Sequence, residues 1–133
     1  MLISLNKESQ LLLENQLCFS IYACSREITK LYRPMLDEIG ITYPQYLALL
    51  ALWEKDQQTV KELGDKLFLD SGTLTPMLKR METTGLIARK RDSNDERKVF
   101  ITLTEEGKNL KERAYCIPEK FFEESDATKE EFL

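Results

Sequence analysis

The chain has 133 residues, a formal net charge of −4 and no histidine; 42% of its residues are hydrophobic and 32% are charged. That length predicts one domain, and the composition excludes a disordered, collagen-like or low-complexity chain. The absence of histidine excludes Ser-His-Asp and Cys-His catalysis and histidine-based zinc sites. Neither a G-x-G-x-x-G string, a Walker-type phosphate loop nor C-x-x-C is present, so no enzyme, cofactor or metal site is expected. The longest apolar runs, such as Tyr46–Trp53, fall far short of the ~20 residues of a membrane span. The opening MLISLNKESQ has no basic flank, long apolar region or small-residue cleavage site, so no signal peptide is expected. Three cysteines are too few and too odd for a disulfide framework, which predicts the reducing cytosol.

The predicted elements run as follows. From Glu8 to about Ile39, apolar residues including Leu17, Ile21, Ile28, Leu31, Met35 and Ile39 recur at helical intervals; this reads as one long helix, with Pro34 the place of any bend and Gly40 its end. Thr42 caps a second, nearly all-apolar helix to about Glu54, with Pro44 in its first turn. Lys55–Gln58 is a polar break. Thr59 caps a third helix, Val60–Leu67, with Val60, Leu63 and Leu67 on one face. Asp70-Ser71-Gly72 turns into a fourth helix to about Thr83, with Leu74, Leu78 and Met81 inward, and Gly85 ends it. Leu86–Arg91 and Lys98–Leu103 alternate, with Leu86 and Ala88 opposite Ile87 and Arg89, and Val99, Ile101 and Leu103 opposite Phe100 and Thr102. They predict a hairpin around Asp92–Arg97. Thr104 starts a last helix towards Ala114 and past Pro118. Thr128 and Glu131 have the spacing of a capping box. The fold class is therefore mainly α with a small β-hairpin: a winged helix-turn-helix.

Charge is unevenly placed. Lys79–Lys98 carries seven Lys and Arg against four acids, whereas residues 104–133 carry nine acids against five bases. A basic patch inside an acidic chain suits an anionic partner. In a helix-turn-helix the second helix enters the major groove with its N-terminal residues nearest the bases. Here that face offers Ser71, Thr73, Thr75, Pro76 and Lys79; Ser and Thr serve several base edges, and Lys79 and Arg80 suit phosphates. The hairpin RKRDSNDERK gathers Arg89, Lys90, Arg91, Arg97 and Lys98. Asp95 beside Arg97 can hold the guanidinium extended, as a narrow minor groove requires. The plainer alternative is a solvated helix and a charged turn.

Among the cysteines, Cys18 falls near the start of the first helix, where a thiol feels a positive potential that favours the thiolate, the species that peroxides oxidise. With no histidine to act as base, neutral donors such as Tyr22, Tyr32, Tyr43 and Tyr46 are the available helpers. The alternative is a small buried thiol packed as a hydrophobe. Cys24 lies about 240° further round the helix and reads as core or helix surface; Cys116 reads as structural.

The strings LENQLCFSIYACSREITKLYRPMLDEIGITYPQYLALLALWE, FLDSGTLTPMLKRME and RDSNDERKVFITLTEEG resemble the organic-hydroperoxide-sensing repressors of the OhrR branch of the MarR family. The resemblance covers about residues 13–118, with NQLCF, TYPQY, LDSGTLTP and DER in order. It implies a dimeric, MarR-like winged-helix repressor on double-stranded, pseudo-palindromic operator DNA, controlling a peroxide-detoxification gene. Residues about 8–54 and 104–133 would be the helical dimerisation parts and about 55–103 the DNA-binding part. The resemblance puts the redox sensor on Cys18, its hydrogen-bonding tyrosines, reaching across the dimer, on Tyr32 and Tyr43, the recognition helix on Ser71–Met81 and the minor-groove arginine on Arg97, supported by Asp95. Organic hydroperoxide is the signal. The oxidised sulfur then meets a low-molecular-weight thiol or, in two-cysteine members, a second cysteine of the other subunit, for which Cys116 is available. The family's final long helix would lie beyond Leu133, which implies a reduced dimer interface. Two other readings stand beside this one: a MarR-like regulator released by a small aromatic ligand, and a thiol peroxidase.

Overall fold

A computed structural model describes residues 6–124. The first segment differs from the expected single long helix. Asn6 caps a one-turn helix, α1 (Lys7–Gln10), a 3-10 turn follows at Leu13–Asn15, and the long helix α2 begins only at Leu17 and ends at Glu38. The periodic leucines carry through the break, but the backbone does not. Gln16 turns its side chain back, and Nε2 donates to the carbonyls of Gln10 at 2.7 Å and Leu12 at 2.8 Å, fixing the bend that separates α1 from α2.

The next three helices follow their caps. Thr42 and Gln45 form a reciprocal capping box for α3 (Tyr43–Glu54), and Thr59 and Glu62 form another for α4 (Val60–Leu67). Asp70 caps α5 (Ser71–Thr83) by accepting from the Thr73 amide at 2.7 Å. Each cap satisfies amides that the first helical turn leaves without partners. Gly40 and Gly85 adopt positive φ just past the ends of α2 and α5, the left-handed position that lets a helix turn off without a Cβ clash.

The supposed polar break at Lys55–Gln58 is more structured than expected. Gln58 is buried, its Nε2 donating to the Ala51 and Lys55 carbonyls at 3.0 and 2.6 Å, so it closes the end of α3. Gln58–Thr59 also forms a two-residue strand, β1. The sheet order is β1-β3-β2, with β2 (Ile87–Arg91) and β3 (Val99–Leu103) forming the expected hairpin. Register pairs Ile87 with Leu103 and Arg89 with Ile101; Ile87, Ile101 and Leu103 are buried, while Ala88 is exposed.

The last predicted helix is two. Helix α6 (Glu105–Ala114) is capped by Thr104, a turn follows at Tyr115-Cys116, and α7 (Ile117–Glu124) restarts with Pro118 in its first turn, where a missing amide costs nothing. The capping box expected at Thr128 and Glu131 lies outside the described residues. One core joins Leu36, Leu49, Leu52, Leu63, Leu74, Leu78, Met81, Ile101 and Phe121. Trp53 ties α3 to α6 by donating to the Gly107 carbonyl at 2.9 Å.

Candidate functional site

Helices α4 and α5 with the β2–β3 hairpin present one surface. Leu74, Leu78 and Met81 bury one face of α5, which leaves Ser71, Thr73, Pro76, Lys79 and Arg80 exposed and Thr75 half-buried. Pro76 falls in the second turn without ending the helix. The Asp70 carboxyl is held below the usual carboxylate range by the Thr73 amide and then by the Thr73 side chain. The loop between the strands is braced from within. Asp92 and Lys98 join across it (Asp92 N–H to Lys98 carbonyl, 2.9 Å), the Lys98 amide donates to the Asp95 carbonyl at 3.0 Å, and Arg91 donates to the Glu96 carbonyl at 2.9 Å. At its tip Asp95 Oδ1 accepts from both the amide and Nε of Arg97, at 3.1 and 3.2 Å, while the Arg97 side chain stays 91% exposed.

Arg89 behaves differently from the other hairpin cations. Its Nε and a terminal nitrogen both reach Glu82 Oε1 at 3.1 Å, on the last turn of α5. Arg89 therefore bridges the hairpin and the helix, and Glu82 is a participant that the sequence reading missed. The two are seven positions apart across a turn, and no helical or strand spacing joins them.

All three cysteines are exposed. Cys18 is the second residue of α2, not a packed core thiol. Gln16, at the cap position, gives the helix no side-chain cap because it points back to α1, and no acid lies in the first turn. The positive end of a 22-residue helix thus meets no built-in counter-charge, a setting that favours an anion. In the sequence on either side of it Leu11, Leu12, Leu13, Leu17, Phe19 and Ile21 are exposed. Leu12, Leu13, Glu14 and Phe19 line an open hollow of about 520 Å³.

The expected tyrosines sit elsewhere on the same chain. Tyr32 and Tyr43 have ring centroids 4.9 Å apart, Tyr46 is 6.0 Å from Tyr32, and Phe121 stacks on Tyr32 at 4.6 Å. Burial, then the neighbouring Tyr43, raises the Tyr32 hydroxyl above its ordinary value. Burial, then Tyr32, Tyr43 and Cys116, pushes Tyr46 up to about 12. The Tyr32 and Tyr46 phenols remain O–H donors at neutral pH. Cys116 lies in the turn between α6 and α7, its thiol donating to the Arg113 carbonyl at 3.6 Å. Cys18 and Tyr32 are fourteen positions apart on one continuous helix, about 21 Å at 1.5 Å per residue. One chain therefore keeps Cys18 and Tyr32 apart, whereas Tyr22, exposed, stands one turn along α2 from Cys18. Cys24 lines a groove of about 500 Å³ with Ile21, Ile28 and Tyr43. Among the described residues, no group of acids and cysteines has a metal-holding arrangement, and no helix is long and apolar enough to cross a membrane.

A capped helix pair, a basic hairpin and a third short strand define a winged helix-turn-helix regulator. The sequence model of the SarA/Rot transcriptional regulators matches residues 30–114. The organic hydroperoxide resistance transcriptional regulator of Bacillus subtilis is 65% identical over 113 residues, 85% of this chain and 77% of the relative. AbfR of Staphylococcus epidermidis, solved reduced on DNA, is 44% identical with a TM-score of 0.73, covering 86% of this chain and 90% of AbfR; its disulfide form is 45% identical with a TM-score of 0.67, covering 90% and 92%. A MarR mutant from E. coli, solved with operator DNA, is 26% identical with a TM-score of 0.74, covering 84% and 82%. The chain belongs to the SarA/Rot group of MarR-type winged-helix transcriptional regulators, on the branch of the organic hydroperoxide resistance regulator.

Proposed function

We propose that the chain is a cytosolic repressor that binds operator DNA as a homodimer and releases it when an organic hydroperoxide oxidises Cys18. The observation that carries this reading is the placement of Cys18: exposed at an uncapped helix start, in a stretch of exposed leucines, and about 21 Å from Tyr32 of its own chain. A second copy laid on this apolar surface would cover the leucines and deliver its Tyr32 and Tyr43 to the sulfur. The name of the Bacillus relative and the reduced and disulfide forms of AbfR support the same chemistry.

The reaction begins with the Cys18 thiolate attacking the distal oxygen of the hydroperoxide. The O–O bond breaks, an S–O bond forms, and the alkoxide leaves as the alcohol after taking a proton, so the sulfur is oxidised to sulfenic acid. A thiol, either a low-molecular-weight one or Cys116 of the other copy, then displaces water to form a disulfide. Either product removes the thiolate that the tyrosines hold and adds bulk at the interface, changing the separation of the two recognition helices. Repression ends because both half-sites, about one helical turn apart, are no longer met together. On the DNA side, Ser71, Thr73, Thr75 and Pro76 face base edges, Lys79 and Arg80 the phosphates, and Arg97, held by Asp95, the minor groove. Arg89 positions the hairpin through Glu82.

A DNA titration before and after stoichiometric cumene hydroperoxide, on wild type and Cys18→Ser, tests this. Wild type should lose binding and Cys18→Ser should keep it; a non-reducing gel of the same samples reports on Cys116. Release of Cys18→Ser by peroxide would overturn the mechanism. Binding that ignores peroxide in both proteins would move the signal to a ligand, and repeated turnover with a reductant, independent of the hairpin, would favour a peroxidase.

A further inference from the structure

No large hydrophobic side chain among the described residues is as exposed as Phe68, at 94%. It is also one of two non-glycine residues among those described with positive φ, at φ 57° and ψ 40°, a left-handed conformation that glycine adopts freely and an aromatic residue does not. Its amide closes α4 on the Gly64 carbonyl, and the next amide, of Leu69, donates to the same oxygen at 2.9 Å. A Cβ on Gly64 would lie 2.7 Å from the Leu69 carbonyl oxygen, so the turn is pinned tightly to α4. Leu69, half-buried, packs against the core and Phe68 goes out. The ring thus serves neither the core nor the cap, and the backbone beneath it is fixed. Two residues later Asp70 caps α5, whose first turn displays Ser71 and Thr73.

We propose that Phe68 is a DNA-contacting residue, its ring resting on the apolar C–H surface of the duplex where the first turn of α5 enters. This rests on the DNA-binding reading above. Two sources supply such a surface, thymine methyl groups and deoxyribose edges. A duplex that approaches Ser71 and Thr73 meets an uncharged, preset ring immediately beside them.

The test starts from 30-bp duplexes that the wild-type full chain enriches from a random library. Affinity is then measured for wild type, Phe68→Ala and Phe68→Gly on the best duplex and on its counterpart with uracil replacing thymine. Both variants should bind roughly tenfold more weakly, with an unchanged slope of log affinity against log salt, because the ring neutralises no phosphate. Phe68→Gly should at the same time raise the thermal midpoint, since the left-handed strain is relieved. If thymine methyls are the surface, uracil weakens wild type and leaves the variants unmoved; if deoxyribose is, the variants lose equally on both duplexes. Variants within about twofold of wild type, or a loss that tracks a lowered thermal midpoint, would overturn the assignment. Failure of wild type to enrich any duplex would instead remove the DNA-binding reading, and this inference with it.

Discussion

A guanidinium serves a narrow anionic groove only if it is kept off its own protein surface. Arg97 meets that condition through Asp95, which holds Nε while the side chain stays 91% exposed. Arg97→Ala should weaken operator binding by roughly 1–3 kcal/mol and lower the salt slope by about one, as loss of one phosphate-region cation does. Asp95→Ala should cost less affinity and leave the slope unchanged, because the cation survives without its brace; salt-dependent titrations of both variants check this. Asp70 makes a separate prediction about pH. Its folded carboxyl lies below its ordinary value, first through the Thr73 amide. Its contribution to stability is therefore present above about pH 4 and is lost as pH falls through the lowered folded value. Asp70→Asn keeps an acceptor at the cap without titrating. Its urea midpoint should fall less between pH 6 and pH 2 than that of wild type.

Elements here are of two kinds, those announced by neighbours in sequence and those made by distant partners. Helices α3, α4 and α5 were legible almost to the residue because Thr42, Thr59 and Asp70 cap within three positions. The start of α2 was not, since Leu11–Leu13 keep a helical rhythm while the Gln16 side chain, bonded backwards, sets the break. Strand β1 was invisible because its two residues are paired only with Phe100 and Ile101. The proposed site divides in the same way. Cys18, the recognition helix and Arg97 follow from local pattern, whereas Tyr32 and Tyr43 came from the family resemblance, and Glu82 came only from the fold. That last contact predicts a separation of effects. The Glu82–Arg89 pair is partly exposed, so Glu82→Gln should cost only about 0.2–1 kcal/mol of stability. If the pair sets the angle between α5 and the hairpin, DNA affinity should fall several-fold with Tm little changed. Equal affinity by titration, with Tm measured on the same sample, would show that the pair only decorates the surface.

The whole molecule carries an apolar face it does not bury: Leu11, Leu12, Leu13, Leu17, Ile21 and Ile28 are all exposed. Faces of this kind mark association surfaces. Leu17→Asp with Ile21→Asp should give a folded monomer by sedimentation, with unchanged helical circular dichroism and DNA affinity lowered at least a hundredfold, because one half-site must then be held alone. A dimer that persists in this variant would place the interface elsewhere. The 21 Å between Cys18 and Tyr32 has a genetic consequence. If each sensor is assembled from the cysteine of one copy and the tyrosines of the other, defects in the two parts are complementable. Chains carrying Cys18→Ser and chains carrying Tyr32→Phe with Tyr43→Phe would each be impaired as homodimers. Co-expressed, they would form mixed dimers with one site wholly broken and one wholly intact, and peroxide inducibility would return in a strain where neither allele restores it alone.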